Sequence, residues 1–239
     1  MSEAYEYLWQ YGEVTAGHEV APSAAPVGAA PPSPARRSRP VSVWPPLRPR
    51  PGNLREVAEK IEEATGLRVQ VVGGSLVMSP TPRGKHAGVI YRLEQAIRPK
   101  LTPELVAAEA VSVEMPDDAD DYVTPDLTVC PAGFLESDDW LLEPRDVELA
   151  VEVISQSEKA RSISQKGDWY AVAGVASLLV IDPRHGTWTL HTRPESGGYQ
   201  DVLRGKFGET ILLPEPLGIA VGTDEFPLYS TPDPSRGRD

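Results

Sequence analysis

Asp146 to Leu190 reads DVELAVEVISQSEKARSISQKGDWYAVAGVASLLVIDPRHGTWTL. The stretch divides into strand, helix, strand, turn and strand. Val147 to Ile154 is a β-rich apolar run. Ser157 is positioned as the N-cap of a helix running to Ala173, with Gly167 a weak point inside it and Gly174 closing it. Ser177–Ile181 forms the next strand, Asp182 to Gly186 a turn, and Thr187–Thr192 the returning strand. Glu148 and Glu152 interrupt the first apolar run. Glu148 stands at the strand's start, within reach of water, whereas Glu152 lies among branched neighbours. A carboxylate there is costly unless it is paired or holds a metal, so chemistry is sought at Glu152.

Upstream, Asn53 is placed as an N-cap with Glu56 as its capping-box partner. Leu54, Val57, Ala58, Ile61 and Ala64 share one helical face, and Gly66 ends the helix. Two β-rich runs, Leu67–Val72 and Ser75–Met78, flank Gly73-Gly74 as a hairpin. Gly84–Arg98 predicts a helix with the stripe Ala87, Ile90, Leu93 and Ile97, stopped by Pro99. Leu105–Val113 is expected to be a strand, and the acidic run from Glu114 to Asp121 a solvated loop. Pro125 then leads into a strand with Asp126 at its start. Downstream, a second hairpin end at Glu195–Gly198 leads to Tyr199–Leu203. The expected architecture is a mixed α/β domain: a central mixed sheet flanked by helices, with β-hairpin additions.

Three segments follow from composition. Residues 1–50 carry a Pro/Ala/Ser tract that cannot bury enough apolar area to offset its ordering entropy. They are expected to form a disordered tail, with Tyr5–Tyr11 a frayed terminus or a short docking helix. Residues 51–230 form the domain, and 231–239 a mobile tail. The 239-residue chain has a formal net charge of −12, which argues against a protein whose whole surface binds nucleic acid but leaves room for a local basic groove. Arg83, Lys85, His86, Arg92, Lys159, Arg161 and Lys166 could supply one. The single cysteine, Cys130, excludes an internal disulfide. With no secretion signal and no apolar run of about twenty residues, the expected location is the cytoplasm, away from membranes.

Asp126, Glu152 and Lys166 form the candidate site. Antiparallel neighbours would bring Asp126 and Glu152 together at one end of the sheet. With a backbone carbonyl from Val153 or Ile154 they offer hard oxygen ligands for Mg²⁺. Lys166 shares a helical face with Ile163, Tyr170 and Ala173, directed at the sheet. A lysine there either snorkels outward or serves an acid. Removing one of two like charges is expected to stabilise the metal-free protein. Phosphate-cradling Gly-Lys loops, zinc-type Cys/His spacing and nucleophile elbows are absent.

Pro125-Asp126, Glu148-Leu-Ala-Val-Glu152-Val-Ile-Ser155, Lys166 with Tyr170 and Gly174, and Leu179-Val-Ile-Asp182-Pro together resemble the Uma-two family of restriction endonucleases, within the PD-(D/E)XK nuclease superfamily. Gly74 to Pro82 with His86, and Gly208 to Val221, resemble that family's opening and closing segments. The similarity spans about residues 53 to 230. It implies a restriction-endonuclease-like fold and Mg²⁺- or Mn²⁺-dependent hydrolysis of DNA phosphodiesters. By resemblance, Asp126 and Glu152 with Val153 hold the metal, and Lys166 and His86 join them in catalysis. The superfamily motif has a lysine two residues after the second acid, where this chain has Ile154, so Lys166 stands as the relocated lysine. Domains of this kind often pair to cut two strands, which implies a homodimer. Two other readings stay open: an inactive relative serving as a binding or interaction module, and a hydrolase of another phosphoester.

Overall fold

A computed structural model gives the structure of the protein and describes residues 53–79, 81–158 and 160–230, with side chains omitted at 160–162. The expected tails and the Tyr5–Tyr11 segment lie outside the described residues. The elements are α1 (Asn53–Thr65), β1 (Arg68–Val72), β2 (Ser75–Ser79), α2 (Gly84–Ile97), β3 (Leu105–Ala108), β4 (Ser112–Met115), β5 (Asp118–Val123), β6 (Leu127–Pro131), β7 (Leu141–Leu142), β8 (Leu149–Val153), α3 (Ala160–Ala173), β9 (Ser177–Asp182), β10 (Thr187–Glu195), β11 (Gly198–Lys206), β12 (Ile211–Leu212) and β13 (Ala220–Val221). This is the mixed α/β architecture expected, with two principal sheets where one central sheet was anticipated.

The larger sheet has the order β11-β10-β9-β8-β6-β3. Only β8 and β9 are parallel in it, because α3 carries the chain back between them, as a parallel connection requires. Alternation along the strands sends Leu127, Val129, Leu149, Val151 and Val153 to one face, against Val89, Ile90, Leu93 and Ile97 of α2. The opposite face places Cys130, Ala150 and Leu178 against Trp169, Tyr170 and Ala173 of α3. Burial of Cys130 pushes its thiol up to about 11, in keeping with a structural role.

The smaller sheet, β2-β1-β5-β4-β7, packs α1 through Ala58, Val69, Val71 and Tyr122. Two segments differ from the sequence expectation. Leu105–Val113 is two strands, broken at Ala110, whose φ is +60°. The acidic run is no solvated loop: much of it is β5, with Asp120 and Asp121 buried. Asp121 spans the Gly73-Gly74 turn, accepting from the Gly73 amide at 2.8 Å and the Gly74 amide at 2.9 Å. Both glycines have positive φ, which turns their N–H groups toward one acceptor. Asp120 accepts from the Arg55 amide at 3.2 Å in the first turn of α1. Glu56 pairs instead with Lys60 one turn on, so a distant aspartate does the capping expected of the local box. α3 also starts later than the Ser157 cap implies. The preceding turn closes through Glu158 N–H to the Ser155 carbonyl, while the Ser155 amide donates to the Glu158 carboxylate, both at 3.2 Å.

Asp121→Ala should therefore lower stability by about 1–3 kcal/mol by orphaning two amides, read as a drop in urea midpoint. An unchanged midpoint would show that water satisfies the turn equally well.

Candidate functional site

Thr124, Pro125 and Asp126 carry the chain from the smaller sheet to the larger. The Asp126 amide donates to the Val151 carbonyl at 2.9 Å, and Leu127 pairs with Val151 across β6 and β8. Continuing that antiparallel register by one residue sets Asp126 opposite Glu152. The Asp126 carboxylate is further held by the Val153 amide, which donates to Oδ2 at 2.8 Å. Val153 thus contacts the acid through its N–H. The Ile154 carbonyl accepts from the Tyr229 hydroxyl at 2.9 Å.

Glu152 alternates with Val151 and Val153 on β8, so its side chain faces α3. Lys166 Nζ donates to Glu152 Oε2 at 2.7 Å, and Tyr170 Oη donates to Oε1 at 2.6 Å. Lys166 and Tyr170 stand four residues apart on one helical face, which lets a single helix grip both carboxylate oxygens. The Glu152 and Lys166 side chains are only 13% and 15% exposed. Burial, reinforced by the charge of Asp126, raises the Glu152 carboxyl above its ordinary range despite the lysine. Burial works against the Lys166 ammonium, but the charge and hydrogen bond of Glu152 outweigh it and hold the amine protonated. Tyr170 is pushed well up, by burial first and Glu152 second.

A small open cleft lies beside this pair. Glu152, Glu158 and Lys166 share its lining with Ile163, Leu178 and Val180. From the opposite layer, His86 in the first turn of α2 brings Nε2 to 3.2 Å from Asp126 Oδ1. All four expected residues, Asp126, Glu152, Lys166 and His86, therefore meet at one end of the sheet. Among the described residues no three His, Cys, Asp or Glu side chains make a preformed metal cluster. Of the expected cations, Arg83 at the N-cap of α2 and Lys85 and Arg92 on the helix are exposed. Lys85 binds the Leu228 carbonyl and Ser230 Oγ, Arg83 the Gln156 amide oxygen, and Arg92 the Gly88 carbonyl. None of these partners carries charge. Lys159 and the Arg161 side chain lie outside the described residues.

A profile of the Uma2 family, described as "Putative restriction endonuclease", matches residues 55–224. The chain belongs to the Uma2 family. A crystal structure described as a putative nuclease belonging to DUF820, from Anabaena variabilis ATCC 29413, matches with a TM-score of 0.52 and 16% identity, over 63% of this chain and 83% of that one. At that identity the likeness is one of fold, and the fold is restriction-endonuclease-like. A cryo-EM structure described as a DrdV–DNA complex matches at a TM-score of 0.33 and 13% identity, over 63% of this chain and 12% of that chain, too slight a likeness to argue from. No curated protein matches. In this Uma2 member, two site residues had no role assigned from sequence. Tyr170 could have been found, since a buried phenol on the face of Lys166 needs a partner. Tyr229 could not, being far along the chain and outside the matched segment.

The Lys166 ion pair reverses the stability expected on removing Glu152, because the ammonium would then be buried alone. Lys166→Met should cost about 3–5 kcal/mol near neutral pH. Glu152 has a raised folded pKa, so its ionisation penalty is absent below the unfolded carboxylate range and grows as pH rises through the folded value. The Lys166→Met deficit should accordingly shrink at pH 4–5, and Glu152→Gln in the same chain should restore most of the loss at pH 8. Denaturant unfolding of the two variants at both pH values measures this, and a pH-independent deficit would contradict it.

Proposed function

We propose that this Uma2 protein is a divalent-metal-dependent endonuclease that hydrolyses DNA phosphodiester bonds. The observation that carries the reading is the convergence of two carboxylates from adjacent strands with a buried ammonium from the following helix, in a chain of a restriction-endonuclease family. The donor set fits a hard cation. Two like-charged carboxylates stand close enough for Asp126 to raise the Glu152 pKa, and a single ammonium leaves the group anionic. Mg²⁺ and Mn²⁺ sites of this kind need only one or two carboxylates, the remaining positions being water and phosphate oxygens. Asp126, Glu152 and the carbonyl oxygen of Val153 would hold the ion. When bound, it would acidify a water and neutralise charge on the phosphate.

The chain's own groups divide the remaining work. The Val153 amide fixes Asp126, and Tyr170 with Lys166 fixes Glu152, so neither carboxylate has to reorient on binding. Lys166, held protonated, can hold a water for attack or stabilise negative charge developing on the phosphate. Arg83 before α2, and Lys85 and Arg92 on it, supply positive charge for a nucleic acid backbone on an otherwise acidic protein.

Supercoiled plasmid incubated with purified protein and Mg²⁺ or Mn²⁺ should be nicked. Asp126→Ala and Glu152→Ala should each reduce nicking at least 100-fold, and Lys166→Ala nearly as far. Nicking that persists equally in all three variants would overturn the reading. DNA binding without any cleavage would favour the alternative, a nuclease fold kept as a binding module.

A further inference from the structure

The residues that follow the matched family segment run back across the site. The Tyr229 amide donates to the Pro183 carbonyl at 2.9 Å. Lys85 holds the Leu228 carbonyl at 2.7 Å and Ser230 Oγ at 2.8 Å, and the Gln156 side chain donates to the Ser230 carbonyl at 3.2 Å. These bonds tie the strap to the start of α2, the turn before α3 and the β9–β10 turn. They set the Tyr229 hydroxyl between two site groups: the Ile154 carbonyl at 2.9 Å and His86 Nδ1 at 3.3 Å.

A phenol has one hydrogen to give. The Ile154 carbonyl can only accept, so that hydrogen is committed to it. His86 Nδ1 must then be the donor, with the Tyr229 oxygen accepting. A neutral imidazole that carries its hydrogen on Nδ1 presents a bare lone pair at Nε2. His86 is 8% exposed, and its Nε2 is buried with no hydrogen-bond partner. It faces Asp126 Oδ1 at 3.2 Å. In the neutral ring Nε2 and Asp126 Oδ1 face each other as two lone-pair donors, an arrangement that a shared cation completes. Their spacing also suits one: adjacent ligands of an octahedral ion with bonds of about 2.1 Å lie about 3 Å apart.

We propose that Tyr229 is a positioning residue of this site, fixing His86 with its hydrogen on Nδ1 so that the Nε2 lone pair shares a divalent cation with Asp126. The nitrogen ligand favours Mn²⁺ over Mg²⁺, since imidazole suits borderline transition ions better than hard ones. The inference rests on the metal-dependent reading for the identity of the cation, and on the strap's hydrogen bonds alone for the tautomer.

Long-range ¹⁵N–¹H correlation on the metal-free full-length protein reads which ring nitrogen of His86 carries the hydrogen. Wild type should show His86 protonated on Nδ1, and Tyr229→Phe should show a mixture. Mn²⁺ affinity, from the electron paramagnetic resonance of the free ion, should fall about tenfold in Tyr229→Phe, with a smaller loss for Mg²⁺ by competition. Should Tyr229→Phe fail to fold, His86→Gln, whose amide oxygen can occupy the Nε2 position, should retain Mn²⁺ better than His86→Asn. An Nε2-protonated wild type, an unchanged Mn²⁺ affinity in Tyr229→Phe or the reverse order of the two His86 variants overturns the proposal. None of these readouts involves DNA, so a failure to nick plasmid would sink the nuclease reading without touching this one.

Discussion

Glu152 is a carboxylate on a buried strand, and the α3 side of the domain is arranged around keeping it there. An unpaired carboxylate in such a place would protonate or drag the strand toward water. Here both oxygens are taken, one by the Lys166 ammonium and one by the Tyr170 phenol. Both donors come from one face of α3, so the grip on Glu152 is also the docking of the helix onto the sheet. The parallel pairing of β8 with β9 follows from the same connection. A buried pair of this sort is seldom a net source of stability, since desolvation offsets much of the attraction. What it secures is geometry: a charged group kept deep in the fold, beside a second acid, with its orientation settled in advance.

The other half of the site is built by backbone. Asp126 sits where the chain passes between sheets, and the edge of β8 holds it on two sides, through the Val151 carbonyl and the Val153 amide. Its second oxygen turns to the α2 layer and His86. The site is thus a seam between the helix layers on the two faces of the larger sheet. Each contributes one basic group, Lys166 to one acid and His86 to the other. The C-terminal strap closes the seam through Tyr229, and in doing so determines which nitrogen of His86 is left to act. Burial and the charge of Asp126 raise the pKa of Glu152, while the charge and hydrogen bond of Glu152 keep Lys166 protonated against its own burial. This separation of roles among neighbouring titratable groups is common where protons and phosphates are handled.

Much of this was legible along the chain because the signals were local. The misfit of Glu152 in an apolar run, Pro125 before Asp126, and Lys166 on the same stripe as Tyr170 are all matters of period and spacing. They led to the two acids and the lysine, and the ordered similarity to a nuclease family added the fold. The glycine signals were equally local: Gly66, Gly73 and Gly74 all take the left-handed conformation that only glycine adopts freely.

The failures share a different cause. Asp120 and Asp121 read as solvated because a run of acids normally is, yet one caps a helix N-terminus 65 residues away and the other a turn 47 and 48 residues away. Capping demands an acceptor in the right place, and nothing in local sequence says from how far it will come. Division of the strands between two sheets likewise depends on which edges find each other. Sequence alone determined the elements, the candidate acids and the lysine, because periodicity and burial cost act over a few residues. Only the tertiary structure decided that Tyr170 shares Glu152 with Lys166, that Val153 offers its amide to Asp126, and that Tyr229 orders His86. Those are hydrogen bonds whose direction depends on atoms that meet only once the layers have packed.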